Sequence, residues 1–539
     1  MAQDHGPFPR KSSNLNQPEA AKLIEQLSAI TGANNILTDA EDLRFYSTDV
    51  YRQADEIADV VVRPGSVEEL QAIVRCCAVA GSPIVTRGGG ASYTDGYLPV
   101  RKNTVCVDTS RLTRIDINEN DMFVTAEAGV TWASLNDALK GKNLRTPFWG
   151  PFSGLAATVG GSMSSYAVNY GSGLYGISAE SLTSLDVVLA SGELLSTGSA
   201  GGKGGSAFFR YYGPDLTGLF VGDAGAFGIK ARVSMRLMKR PPAFQACSFG
   251  FPNGEQTLTA MTEIAKLGVV SQNFGLDPRQ QKTALTRMQS ANPLDAAKSV
   301  FLSARNPLDG ALQVAKMGLA GRNFLKKASY SAHFSVEGLS DSEARAKIAE
   351  VRAIGRRYGA EVANSIPTYF NAEPFMDLLP ILGPNGERWK PTHGIIPFSN
   401  LLKHHNDFES LVSEYQERMD ALGVQLTRML MFFSTNGFIY EPTFLWNDSR
   451  TIYHERVYPK DLLPMVPVHE DNPQGRALVA EIKKRIVELC VQNGACHMQI
   501  GKDYPYLATR KPEMAGLVRK IKAGLDPAGI MNPGALGLD

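Results

Sequence analysis

Residues 84–93 read IVTRGGGASY, with Arg87 ahead of Gly88, Gly89 and Gly90, and Ala91 and Ser92 behind them. Glycine lets the main chain take positive φ and lets a ligand come against it. Successive N–H groups in such a turn make a concave nest for an anion. A pyrophosphate suits this loop, and so does a plain tight turn, because short glycine motifs match by chance often. A second segment, ATVGGSMSSYAVNYGSGLYG, holds Gly160, Gly161, Ser164 and Gly173 among Ala, Ser and Tyr, with neither helical nor strand period. Such backbone fits close contact with a large flat ligand. A third, LFVGDAGAFGI, sets Gly228 and Ile229 at the start of a β-branched run. None matches GxGxxG between strand and helix, or the GxxxxGK[ST] phosphate loop.

These segments must be positioned by strands and helices, and the chain supplies them in alternation. DVVVRPGS is a short β-branched run stopped by Pro-Gly. SVEELQAIVRCCAVAG predicts a helix with a capping box at Ser66 and Glu69, an inner face of Val67, Leu70, Val74 and Cys77, and a stop at Gly81. PIVT is the next strand, so the three glycines leave a strand in a strand–helix–strand unit. TVCVD and MFVTAEAGV predict further strands, and TWASLNDALKGKNL predicts a helix with Trp132, Leu135 and Leu139 inward. LTSLDVVLASGELLSTG predicts a hairpin. Pro241-Pro242 marks a boundary. Beyond it come long amphipathic helices, as in DSEARAKIAEVRAIGRRYGAE, FESLVSEYQERMDALG and RALVAEIKKRIVELCVQNGA, with apolar strands such as SYSAHFSV and RMLMFFS between them.

Composition narrows the function classes. With 55 Lys plus Arg against 54 Asp plus Glu, nothing electrostatic argues for nucleic acid or an anionic membrane. No apolar run reaches the roughly 18 residues of a spanning helix, and MAQDHGPFPRKSS has no apolar signal region. Six cysteines without CxxC spacing point to a reducing compartment, the cytoplasm. The histidines form no HxxxH or HxH pair, so no metal is expected, and His404-His405 is expected on a solvated helix face.

The ordered set VVRPGSVEELQAIV, PIVTRGGGASYTDG, AEAGVTW, ATVGGSMSSYAVNYGSG, DLTGLFVGDAGAFGI and LDPAGIMNPG resembles the FAD-binding proteins of the vanillyl alcohol oxidase and p-cresol methylhydroxylase superfamily. That superfamily also contains D-lactate and glycolate dehydrogenases. The resemblance is carried by about 55–240 and by the tail, and by layout alone in the middle. It implies an α+β protein: a two-part FAD-binding domain built from the N-terminal region and the C-terminal tail, with an inserted α+β cap or substrate domain. The expected division is a flexible 1–17, an FAD-binding domain at 18–242, a cap at 243–490 and a returning segment at 491–539. It further implies that Arg87, Gly88, Gly89, Gly90, Ala91 and Ser92 wrap the pyrophosphate. Gly160, Gly161, Ser164 and Gly173 would line the ADP and ribityl portion, Gly228 and Ile229 the adenine side, and Asn532 would close the site from the tail. On this reading a side chain at Gly89 would cost FAD binding more than folding.

Some members link flavin through a histidine in the glycine loop. Ala91 stands there, so any covalent link is expected at His393, in GPNGERWKPTHGIIPFSN. The HxGDGNxH and EHGIG stretches of the D-lactate and glycolate branch are broken here, with Asn400 and Cys496 where a histidine and a glutamate belong. The Tyr-Arg pair of the phenol branch is broken too, by Cys496-His497. The expected chemistry is hydride transfer to flavin N5 from a carbon bearing a hydroxyl or para to a phenolate. His497 is the expected base, because an imidazole titrates near working pH. His393 would supply charge near the ring, and Tyr440 and Trp446 would wall an aromatic pocket. The reading is an FAD-dependent oxidoreductase of a hydroxyl-bearing small molecule, leaning to an aryl alcohol or substituted phenol. The alternatives are a D-2-hydroxy acid dehydrogenase and a non-catalytic flavin sensor or electron-transfer subunit. Oxygen, a cytochrome or a quinone would reoxidise the flavin, and a homodimer is among the assemblies, since related folds often dimerise.

Overall fold

The computed structural model describes residues 17–281, 329–383 and 385–538, with the single positions 298 and 311 between the first two. Most of the expected flexible start, 1–17, lies outside the described residues.

The wholly buried run Val60–Val62 pairs in parallel with Val105–Asp108, which pairs in parallel with Ile84–Arg87; Ile36–Leu37 closes the far edge antiparallel. The helix Val67–Ala80 packs Val67, Leu70, Val74 and Cys77 into the core behind this sheet. Ser66 Oγ accepts from the Glu69 amide at 3.2 Å, and Gly81 ends the helix with φ 67°. The Glu69 carboxylate reaches back to the Gly65 amide at 2.6 Å and not to that of Ser66, so half of the expected capping box is displaced by one residue.

A five-stranded antiparallel sheet follows, in the order Ile115–Asn118, Phe123–Glu127, Ile229–Arg236, Leu182–Val188, Leu194–Ser196. The helix Trp132–Lys140 lays Trp132, Leu135 and Leu139 against it. The C-terminal tail returns here. The Ile84 amide donates to Ile530 O at 2.7 Å and the Asn532 amide to Ile84 O at 2.8 Å, while Tyr504, Leu507 and Leu536 join the core of the five-stranded sheet.

The inserted α+β part is an eight-stranded sheet. Its order is Ala360–Val362, Ala243–Phe251, Tyr330–Gly338, Val270–Leu276, Gln425–Phe433, Gly437–Asn447 and Glu387–Pro391, with Gly394–Ile396 also on Gly437–Asn447. Helices Gly254–Ala265, Asp341–Tyr358, Leu401–Ala421 and Pro473–Gln492 share a core with one of its faces. Strand side chains alternate between faces. Along Gly437–Asn447, Phe438, Tyr440, Phe444 and Trp446 point into the helix-covered core. Ile439 and Glu441 point the other way.

Two expectations change. His404 and His405 are buried, not solvated: both lie on the inner face of Leu401–Ala421, and His405 Nδ1 pairs with Tyr440 Oη at 2.9 Å. His405 turns inward to meet the buried tyrosine hydroxyl, while His404 packs its ring on Phe408 and Tyr440. The segment at 159–165, which shows no period, forms a short helix, Val159–Ser165. Thr158 caps it through the Gly161 amide at 3.2 Å, so a cap and close packing hold it where apolar periodicity is missing.

Candidate functional site

A cleft with about 1660 Å³ of atom-free space, its open mouth included, runs between the glycine segments and the uncovered face of the eight-stranded sheet. Gly88, Gly89, Gly90, Ala91 and Ser92 line it, as do Gly160, Gly161, Ser164, Gly228 and Ile229. The three glycine segments, far apart in sequence, therefore meet on one wall. Among the described residues, no protein acceptor pairs with the amides of Gly89, Gly90, Ala91 and Ser92. A row of unpaired donors on a concave wall is a cradle for phosphate oxygens, so the residues present fit an FAD pyrophosphate.

The glycines have a second reason to lack side chains. A Cβ on Gly88 would overlap Thr158 Oγ1, one on Gly89 would overlap the Ala156 carbonyl, and Gly90, at φ +74°, abuts the Arg87 guanidinium. A side chain at Gly89 would therefore strain the fold as well as the cradle, because the loop packs on backbone there.

Several expected residues stand outside the cleft wall. Arg87 is buried beneath the loop, its guanidinium 4.8 Å and 4.7 Å from the ring centroids of Phe45 and Tyr46. It holds the loop from below by cation–π contact and does not line the wall. Gly173 packs against the Val270 carbonyl, 2.5 Å from where its Cβ would lie. Asn532 is buried and works as a clamp. Its amide donates to Gly96 O at 2.7 Å and to Ala224 O, and its carbonyl accepts from Lys502 Nζ at 2.6 Å. Tyr440 and Trp446 belong to the helix-covered core, where Trp446 Nε1 donates to Asp448 at 3.1 Å, so neither walls the cleft.

The two histidines meet each other behind the wall. His497 Nδ1 bonds His393 O at 2.6 Å, and the rings of both stack on Tyr504, at 4.2 Å and 5.1 Å. Burial pushes His393 down to about 3, so its ring is neutral, and burial lowers His497 as well. Tyr93, which lines the cleft, meets the His393 ring edge-on at 6.4 Å, and His393 itself is not part of the lining.

The lining also includes residues to which the sequence reading gave no role: Tyr93 at the end of the glycine loop, and Trp389, Met429, Met431, Met498 and Glu441. Met429 lies directly across from Glu441 in the strand pair, and Trp389 meets Tyr93 edge-on at 5.1 Å. Glu441 is enclosed, and desolvation raises its carboxyl to about 7. Burial first, and the Glu441 charge second, push the Tyr93 phenol well above its ordinary value, with Gln499 opposing. The signal for Glu441 was present in FIYEPTF: a lone acid in an apolar strand.

Comparison with known proteins agrees with this construction. Residues 58–198 match the FAD binding domain family, and residues 396–536 match the family of FAD linked oxidases, C-terminal domain. A mitochondrial D-lactate dehydrogenase [cytochrome] of Arabidopsis thaliana is 28% identical over 52% of this chain and 48% of its own length. Glycolate oxidase subunit GlcD of Bacillus subtilis is 28% identical over 46% of this chain and 51% of its own. The chain thus spans about half the length of the curated relatives it matches. A crystal structure of p-cresol methylhydroxylase with substrate bound superposes with TM-score 0.74 at 18% identity, over 98% of this chain and 99% of that one. The isoeugenol complex of 4-ethylphenol oxidase from Gulosibacter chungangensis superposes with TM-score 0.70 at 18% identity, over 98% of both. Two matched FAD families and three glycine segments converging on one cradle lead to one conclusion: this chain carries an FAD binding domain and an FAD linked oxidase C-terminal domain, on a fold shared with p-cresol methylhydroxylase.

Proposed function

We propose that this protein is an FAD-dependent oxidoreductase that oxidises a hydroxyl-bearing small molecule, an aryl alcohol or substituted phenol. The observation that carries this reading is Glu441: one enclosed carboxyl in an otherwise apolar end of the cleft, among Met429, Met431, Met498 and Trp389. The amides of Gly89 to Ser92 would hold the pyrophosphate, Gly160, Gly161 and Ser164 the middle of the cofactor, and Gly228 and Ile229 the adenine side. Bound there, the flavin supplies a two-electron acceptor for hydride.

The chain's own residues do the rest. The apolar wall excludes water and orients a ring-bearing substrate. Glu441, with a pKa raised to about 7, is matched to taking a hydroxyl proton near neutral pH. In this reading His497 and His393 are positioning residues behind Tyr93, and the flavin is held without a bond to Ala91. We assign 18–242 and 491–539 to the flavin domain and 243–490 to the substrate domain. Six unpaired thiols support a cytoplasmic setting.

A second reading, a D-2-hydroxy acid dehydrogenase, is favoured by the names of the curated relatives. It needs a cation for the substrate carboxylate. Among the described residues lining the cleft the only Lys or Arg is Lys230, and Asp223 holds it in a buried ion pair. Anaerobic mixing of the FAD-loaded protein with aryl alcohols, alkylphenols and D-lactate tests both readings. Bleaching of the flavin by an aryl compound supports the first, and bleaching by D-lactate alone replaces it with the second. Bleaching by none returns the protein to the flavin-carrier class. Adding oxygen, a cytochrome or a quinone to the reduced protein then identifies the acceptor.

A further inference from the structure

The charges around the substrate end divide aryl alcohols from phenols, a distinction that rests on the reading above. The two cations that alternate with lining residues in the strands of this wall are turned away and engaged. Lys390, next to Trp389 in its strand, is fully buried and donates to Tyr93 O and to Asp503 at 2.8 Å. Arg428, next to Met429, pairs with Asp277 at 3.1 Å and Glu409 at 2.7 Å. The alternation of strand faces puts both on the side opposite the cleft-lining residues. The ionisable groups at this end are the Glu441 carboxyl and the Tyr93 phenol beside it. An ionised phenolate entering here would meet no compensating cation and would lie near a carboxylate, an arrangement that costs free energy in a desolvated site.

We propose that the substrate is a neutral, apolar carbinol of benzylic type, oxidised directly at its own CH–OH, and that a ring phenolate is not required. In this step the carbinol C–H bond breaks and its electron pair leaves with the hydrogen as hydride to the bound flavin. The O–H bond breaks and its proton passes to the Glu441 carboxylate. The C=O double bond forms, so the carbinol loses two electrons and the flavin gains them. The methionines Met429, Met431 and Met498 give the ring an adaptable apolar bed.

The test uses the FAD-loaded protein under anaerobic conditions and three compounds. 4-Methoxybenzyl alcohol has the carbinol and a capped phenol, 4-hydroxybenzyl alcohol has both groups, and p-cresol has only the phenol. The expected result is flavin bleaching by the methoxy compound within about tenfold of the rate with the hydroxy compound, and none by p-cresol. An inert methoxy compound with an active phenol overturns this inference and leaves the broader reading standing. Bleaching by none of the three overturns both. A binding readout stands apart from turnover. 4-Nitrophenol titrates near neutral pH, and its phenolate absorbs in the visible. On binding, that absorption is expected to fall, because the site favours the neutral form. A rise overturns the inference, and an unchanged spectrum removes the aryl-sized pocket on which it depends.

Discussion

The carbonyl oxygen of Ala156 occupies the place where a side chain on Gly89 would have to begin. Two loops that are distant in sequence, 88–92 and 156–161, are therefore in backbone contact at the centre of the cofactor cradle. Gly161, in the same cradle, is different: its Cβ would meet only Thr158 Oγ1, at 3.2 Å.

From this contrast we expect Gly89→Ala to lower folding stability by about 1–3 kcal/mol, the usual cost of overpacking. It should also lose FAD, because the loops separate. Gly161→Ala should change stability by no more than about 0.5 kcal/mol. Urea denaturation of the two apoproteins, with FAD content measured on the purified forms, checks both. Equal stability in the two variants would show that the loops give way freely.

Glu441→Gln should keep the fold and the bound flavin but slow flavin reduction by about 10²–10⁴, the range for losing a general base. In the parent, reduction should speed up as pH rises through about 7, because only the carboxylate accepts a proton. Stopped-flow reduction from pH 5 to 9 reads both effects, and a pH-independent parent rate would remove Glu441 from the proton transfer.

The same residue has an opposite signature in stability. Its carboxyl is raised in the folded state, so the folded protein binds the proton more tightly than the unfolded chain does. The contribution is fully present below the ordinary glutamate range near 4.5 and is lost as pH rises through about 7. By linkage the loss amounts to at most about 3 kcal/mol. Denaturation of the apoprotein across this window should show the parent losing stability relative to Glu441→Gln. Parallel curves would mean that the group is solvated.

His497→Ala should lower stability by about 1–3 kcal/mol through loss of its bond to His393 O and its stacking on Tyr504. Flavin reduction in the folded fraction should change by less than about tenfold, short of the general-base range. A loss of 10²–10⁴ with the fold intact would return His497 to the chemistry.

Asn532→Ala should loosen the tail. It removes bonds to Gly96 O and Ala224 O and leaves Lys502 without one of its acceptors. The expected outcome is faster FAD release and earlier proteolytic cleavage after residue 500. Unchanged release would mean that the Ile84–Ile530 and Ile84–Asn532 backbone bonds alone hold the tail.

The sequence by itself determined the glycine cradle and the elements that carry it. Val67, Leu70, Val74 and Cys77 form the buried helix face they predict, and Gly88 to Ser92 line the cleft. Local rules decide such things: period 3.6, caps, and the need for bare backbone at a close approach. The substrate end was decided by tertiary structure. In FIYEPTFLW one face reads Phe-Tyr-Pro-Phe-Trp and the other Ile-Glu-Thr-Leu, so the alternation is legible, but not that the second face lines a cleft. Four helices cover the face of Tyr440 and Trp446, which leaves Glu441, one residue away, toward the cleft. A strand reverses side with every residue, and only the packing of distant helices against the sheet fixes which side is the core.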